Sequence, residues 1–158
     1  MNPVVKLYLS MILLAASSVP AMAAAPVELS SDVFVEKQQK RPDGSFSTVL
    51  AKPNLILPGD QLVFVVRYRN AGSKPATNFS VTNPIPAAIA FSGTSDGAEV
   101  VSIDGGKSWG KLSQLLVNNA DGTSRAALMT DVTHLKWQMN QMLAAGDAGK
   151  LIFRGVVK

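Results

Sequence analysis

The residue types that carry nucleophilic or acid–base chemistry are few in this chain of 158 residues. It has no cysteine and a single histidine, His134. Serines are numerous, but no G-x-S-x-G elbow presents one of them to a base. A zinc site lacks the necessary nitrogen and sulfur ligands. The glycine-rich segments at residues 104–106 and 145–149 do not join a strand to a helix, as a phosphate-binding loop does. We therefore predict no enzyme activity, no catalytic residue, no metal and no cofactor.

One motif in the chain is more specific. Ser102, Asp104, Gly106 and Trp109 match the pattern S-x-D-x-G-x-x-W, the Asp box of sialidases and other propeller proteins. In such a turn the carboxylate accepts backbone N–H bonds, a glycine permits a positive φ and the tryptophan covers the hairpin. A sialidase needs several boxes, an arginine cluster and a tyrosine paired with a carboxylate, and Tyr68 is the only tyrosine after residue 23. We interpret the motif as a structural hairpin.

Two binding alternatives stay open around this motif. Asp96, Glu99 and Asp104 are conceivable calcium ligands, although their spacing matches no compact calcium loop. Exposed aromatic side chains such as Trp109 would suit a surface that binds envelope glycans or peptidoglycan.

The elements that must position these residues are short strands. In residues 62–69, an apolar row of side chains alternates with a second row that becomes charged at Arg67 and Arg69. This period of two is expected of a β-strand. In residues 135–139, an inward Trp137 places His134 on the solvent face. Turn signals recur about every 8–12 residues and no amphipathic helix is convincing, which favours an all-β antiparallel sandwich. Further extended runs are predicted at 27–36, 46–50, 79–81, 99–103, 112–117, 125–129 and 151–157.

The segment LPGDQLVFVVRYRNAG at residues 57–72 resembles the opening of a bacterial conserved-repeat domain, catalogued as domain of unknown function eleven. Residues 75–86 resemble its next signature strand, and the blocks 135–137, 143–146 and 151–157 resemble its end, so the likeness covers most of 57–158. The resemblance implies an immunoglobulin-like sandwich in secreted and surface-exposed bacterial proteins, often in tandem. It implies no catalytic residues. This sequence departs from the family in its single copy, in an insertion at about 94–131, and in Asn83 where an aspartate is common.

The first 23 residues have the pattern of a secretory signal peptide. Lys6 precedes an apolar run at residues 7–16, which at ~1.5 Å per residue spans about half of the ~30 Å hydrocarbon core. The A-x-A site at residues 21–23 predicts cleavage between Ala23 and Ala24. A retained membrane anchor is the alternative. No cysteine follows the run, which excludes a lipid-modified terminus, and no later apolar run is long enough to span a membrane.

Charge and composition narrow the function further. The net charge is +4, and the only basic cluster is Lys37, Lys40 and Arg41, without the aromatic-lined basic stripe of nucleic-acid binders. We predict that residues 24–158 form one exported, non-enzymatic β-sandwich domain in the periplasm, on the cell surface or in the medium. This module acts through contacts with an envelope or surface protein, or as a structural element of the cell envelope. The alternatives are a glycan-binding or peptidoglycan-binding module, and a fibre subunit whose residues 27–35 exchange into a neighbour's sheet.

Overall fold

A computed structural model describes residues 27–95, 97 and 100–158. The predicted signal peptide, its cleavage between Ala23 and Ala24, and the carboxylates of Asp96 and Glu99 lie outside the described residues. No helix within the described ranges is long and apolar enough to cross a membrane.

In these ranges the chain is all-β, as predicted, and its strand pairings are antiparallel. The strands are β1 Val27–Lys40, β2 Phe46–Ala51, β3 Gln61–Asn70, β4 Phe79–Pro84, β5 Ile89–Thr94, β6 Val100–Ser102, β7 Leu116–Asn118, β8 Ser124–Ala126, β9 His134–Met139 and β10 Ala148–Val157. One sheet has the order β2-β1-β3-β10-β5, a second has the order β4-β9-β6, and β7 and β8 form a separate hairpin. Two 3₁₀ turns, Leu112–Gln114 and Met129–Asp131, precede β7 and β9.

The two larger sheets share one apolar core, which makes the fold a β-sandwich. Phe64 of β3 stacks on Phe153 of β10 with ring centroids 4.5 Å apart, and Trp137 of β9 lies 6.3 Å from Phe153 across the core. Leu135 and Trp137 are 0% and 2% exposed. The residues of β9 that the alternation predicts to point inward therefore lie in the core. Other core members are Val35, Leu62, Val66, Val81, Ile89, Phe91, Val101, Val132 and Leu151.

The outer face of the five-stranded sheet is more apolar than the alternation of β3 predicts. Val63 and Val65 point away from the core, yet both are buried. Arg154 of β10 reaches Glu36 of β1 with Nε and Oε1 3.0 Å apart. Because β3 lies between those two strands, this ion pair crosses its outer face. The stems of long charged side chains can cover apolar surface in this way while their ends stay in water.

Some sequence predictions of individual elements are wrong. The sequence predicts no strand at residues 89–94, yet they form β5 at the edge of the larger sheet. The predicted extended run at 112–117 begins instead as a 3₁₀ turn, in which Leu115 donates its N–H to the carbonyl of Leu112, and extended pairing starts at β7. The run predicted at 125–129 ends in the second 3₁₀ turn, which starts at Met129.

Candidate functional site

The Asp-box residues lie in a tight hairpin that leaves the buried end of β6. Val101 and Gly110 exchange both backbone hydrogen bonds, at 2.8 and 3.0 Å, and so close the hairpin. Ser102 is fully buried. Its hydroxyl donates to Oδ1 of Asp104 at 2.7 Å and accepts the N–H of Gly106 at 2.8 Å. Within the segment predicted as an insertion, β6 belongs to the sandwich, since Val101 packs in the shared core.

The carboxylate of Asp104 organises the turn. Its Oδ1 accepts the N–H groups of Lys107 and Ser108 at 3.0 and 2.9 Å, and its Oδ2 accepts the hydroxyl of Ser108 at 2.6 Å. These bonds hold the pKa of Asp104 far below its usual value, with the Ser108 hydroxyl as the largest cause, followed by the Ser108 N–H and the Ser102 hydroxyl. Hydrogen bonds to the ionised form favour that form. Both oxygens are used within the hairpin, so the group serves the turn itself.

Trp109 closes the motif against the neighbouring strand β9. Its indole Nε1 donates to the carbonyl of Gly106 at 3.0 Å. The ammonium of Lys136 lies 3.8 Å from the centre of the indole ring, and His134 meets the ring edge-on at 6.3 Å between centroids. A cation over an aromatic face is an attractive arrangement. One face of Trp109 is therefore occupied by Lys136, and a sugar could stack on that face only by displacing it.

His134 lies beside the Asp box without forming a catalytic set. Its Nδ1 is 3.1 Å from the hydroxyl of Thr133, which donates to the carbonyl of Ser102 at 3.0 Å and accepts the N–H of Gly105. Nδ1 is therefore the donor of the bond to Thr133. The nearby Ser102 hydroxyl is buried and directed at Asp104, so it is neither activated by the histidine nor open to a substrate.

A shallow groove of about 390 Å³ separates the Asp-box hairpin from the β7–β8 hairpin. The second acid in the groove, Asp131, forms a bidentate pair with Arg125 at 2.6 and 2.8 Å. That pair, and the N–H of Leu128, lower the pKa of Asp131 to about 2. No group of three His, Asp or Glu residues in the described part of the chain is placed to hold a metal ion. The lining is Ile103, Asp104, Ser108, Leu115, Leu116, Val117, Asn118 and Asp131.

A second surface feature is the open edge of β2, which sequence reasoning missed. Among the described strands, β2 is the outermost of the larger sheet, and it consists of six uncharged residues. Phe46 and Leu50 are 65% and 52% exposed on it. Edge strands present unpaired backbone groups, and natural proteins usually protect them with charges, proline or a bulge. Within β2 none of these is present.

The other edges of the two larger sheets in the described part of the chain carry such protection. The pairing of β5 with β10 is irregular between Arg154 and Gly155. β4 has Pro84 as its last residue. β6 is three residues long, and its free side is covered where Val101 pairs with Gly110. β2 is therefore the edge best suited to accept another strand.

Comparison with known proteins gives no relative from which a site can be transferred. No protein-family model, no curated protein and no solved structure matches the chain. The resemblance to the bacterial conserved-repeat domain stays a prediction.

Proposed function

We propose that this protein is an exported, non-enzymatic β-sandwich module that acts by protein contact, accepting a strand of its partner at the open edge of β2. The observation that carries the proposal is an uncharged, unprotected six-residue edge with two exposed large apolar side chains. Strand addition uses backbone hydrogen bonds for affinity and alternate side chains for specificity. Phe46 and Leu50 lie on one face of β2, where they can pair with apolar side chains of the added strand.

The surroundings of β2 suit a protein partner. Lys40 lies opposite Phe46 and Glu36 lies opposite Leu50 in the β1–β2 register, so each apolar side chain has a charged neighbour on one side and open space on the other. Aromatic and aliphatic cross-strand pairs contribute roughly 0.2–1 kcal/mol each. An added strand would supply that second neighbour and satisfy the outward N–H and C=O groups.

Both alternative functions meet a specific obstacle. For the glycan-binding alternative, Lys136 lies over one face of the Trp109 ring. For the strand-exchange alternative, residues 27–35 pair with β3 of their own chain along nine residue positions. Donation of that strand to a neighbour would break all of this pairing.

A photo-cross-linking residue placed at Thr48 in cells that make the protein tests the proposal. The same residue at the exposed Thr82 on β4 is the matched control. We expect an abundant protein adduct from position 48 but not from position 82, and we expect Leu50→Lys to abolish it. Equal adducts from both positions, or none from position 48, would contradict strand addition at β2.

A further inference from the structure

We infer that the strand added to β2 is β2 of a second copy of this chain, antiparallel and with Thr48 opposite Thr48. This inference rests on the proposed function, because it names the partner at the same edge. It predicts a two-fold symmetric dimer whose larger sheets join into one continuous ten-stranded sheet. A two-fold interface uses the same surface patch on both copies.

The β1–β2 register determines which backbone groups face the open edge. Arg41 donates its N–H to the carbonyl of Ser45 at 2.7 Å at the end of the hairpin. In an antiparallel ladder the directly bonded pairs alternate. The pairs Gln39–Ser47 and Lys37–Val49 therefore bond across the hairpin. The N–H and C=O groups of residues 46, 48 and 50 consequently point outward, where a second strand can reach them.

The side chains of β2 select one register of self-pairing. A two-fold axis normal to the sheet keeps each face of the sheet continuous, so residues with the same parity lie opposite each other. With Thr48 at the centre, Phe46 of each copy lies opposite Leu50 of the other. This couple occurs twice and joins the two most exposed apolar side chains of the strand. With Val49 at the centre, Leu50 would lie opposite Thr48 and Phe46 would extend past the paired region.

The charges on β1 also favour an antiparallel second copy. Lys40 and Glu36 flank Phe46 and Leu50 on the same face. In the Thr48-centred dimer, a row of neighbouring side chains runs across the sheet from Lys40 and Phe46 of one copy to Leu50 and Glu36 of the other. Each of the two rows therefore has a positive charge at one end and a negative charge at the other. Parallel pairing of β2 would instead give rows ending in two lysines or two glutamates. Charge complementarity of this kind sets orientation more than affinity.

Sedimentation of the purified mature protein over a range of concentrations tests the dimer. We expect the wild type to form a dimer that dissociates on dilution, and Leu50→Lys to be monomeric at every concentration. Leu116→Lys is the matched control, because Leu116 is 61% exposed on β7, outside the larger sheet. It should sediment like the wild type. Melting curves establish that both variants fold.

A single engineered cysteine tests the register, since the chain has none of its own. Directly bonded antiparallel residues have Cα atoms about 5.5 Å apart, which suits a disulfide. Thr48→Cys should therefore oxidise to a covalent dimer, whereas Ser47→Cys, which lies opposite Val49 of the other copy, should stay largely uncross-linked.

The outcomes separate this inference from the proposed function. A wild type that is monomeric at every concentration, or equal cross-linking of the two cysteine variants, overturns the Thr48-centred dimer. If the adduct from position 48 in cells then contains a different protein, strand addition at β2 stands and only self-pairing fails. If that adduct is absent as well, both fail.

Discussion

At the scale of single residues, Asn70 contributes more to the fold than its turn position suggests. It is fully buried at the end of β3. Its Nδ2 donates to the carbonyls of Lys74 and Leu143 at 2.8 and 3.0 Å, and its Oδ1 accepts the N–H of Gly72 at 3.0 Å. The sequence predicts the local turn, but not the bond to Leu143, which lies 73 positions further along the chain. Local spacing carries no information on such a contact.

Asn70→Ala should lower the free energy of unfolding by about 2–4 kcal/mol, because three hydrogen bonds of a fully buried side chain are lost. Urea denaturation measures the change. Asn140→Ala, at an exposed position, should change stability by less than about 0.5 kcal/mol. Asn70→Asp should also be destabilising, because a carboxylate cannot donate to the two carbonyls. If Asn70→Ala were as stable as the control, the hydrogen bonds from Asn70 to Lys74 and Leu143 would not stabilise the fold.

At the scale of elements, local sequence accounts for the turns that the chain closes by itself. The hairpin β1–β2 turns at Asp43, Gly44 and Ser45, with the N–H and hydroxyl of Ser45 bonded to Asp43 at 2.9 and 2.6 Å. The hairpin β7–β8 repeats this geometry with Asp121 and Thr123, at the same two distances. The glycine of each turn has a φ of 84°, which glycine adopts without strain. An Asp-Gly pair therefore predicts both turns.

For β5, by contrast, the local sequence is a weak predictor of a strand. Ile89 and Phe91 alternate with small residues, but prolines precede them and Gly93 interrupts the strand. What stabilises β5 is distant in sequence: it pairs with β10, where Gly155 lies opposite Phe91. A Cβ atom at residue 155 would overlap Cγ2 of Ile89 and approach the carbonyl oxygen of Ala90 to 3.0 Å. The close approach of these two strands therefore requires glycine at position 155.

Gly155→Ala should destabilise the fold by about 1–3 kcal/mol, the usual cost of overpacking. Gly149→Ala is a graded comparison on the same strand, because the nearest atoms that its Cβ would meet all belong to the half-buried side chain of Tyr68 and none to the backbone. We expect a smaller loss there. Ile89→Ala in the Gly155→Ala background should recover part of the loss from the steric overlap. Additive effects of the two substitutions in denaturation experiments would argue against the overlap.

At the scale of the whole molecule, the sequence predicts the fold class but not the order of the strands. Period-two alternation identifies the inner face of β3, because inward residues repeat along one strand. On the outer face, Val63 is buried beside its β10 partner Arg154, which reaches Glu36 across β3, and those two charged residues are 118 positions apart. The open edge of β2 has the same origin: the uncharged segment is visible in the sequence, but its outermost position follows only from the sheet order.

The dependence of stability on pH is also a property of the whole molecule, because four aspartates in separate parts of the chain have pKa values that shift in the same direction. The pKa values of Asp43, Asp104, Asp121 and Asp131 are all lowered in the fold, by Ser45, Ser108, Thr123 and Arg125 respectively as the largest causes. Between their folded and unfolded pKa values the unfolded chain binds more protons. Stability from these groups is therefore complete above about pH 5 and is lost as the pH falls through the folded values.

The melting temperature should accordingly fall steeply below about pH 4. Asp104→Asn and Asp131→Asn should melt below the wild type at neutral pH, because each removes the charge that the surrounding donors stabilise. The Asp131→Asn curve should approach that of the wild type near the Asp131 pKa of about 2, where the wild-type carboxyl becomes protonated. The Asp104→Asn curve should only narrow its distance to the wild type over this range, because the pKa of Asp104 is lowered further. Asp147→Asn, at an exposed position, is the control and should follow the wild type throughout. Scanning calorimetry from about pH 2 to 7 measures all four proteins. A constant offset between variant and wild type over that range would show that these carboxylates stabilise the fold by packing rather than by their charge.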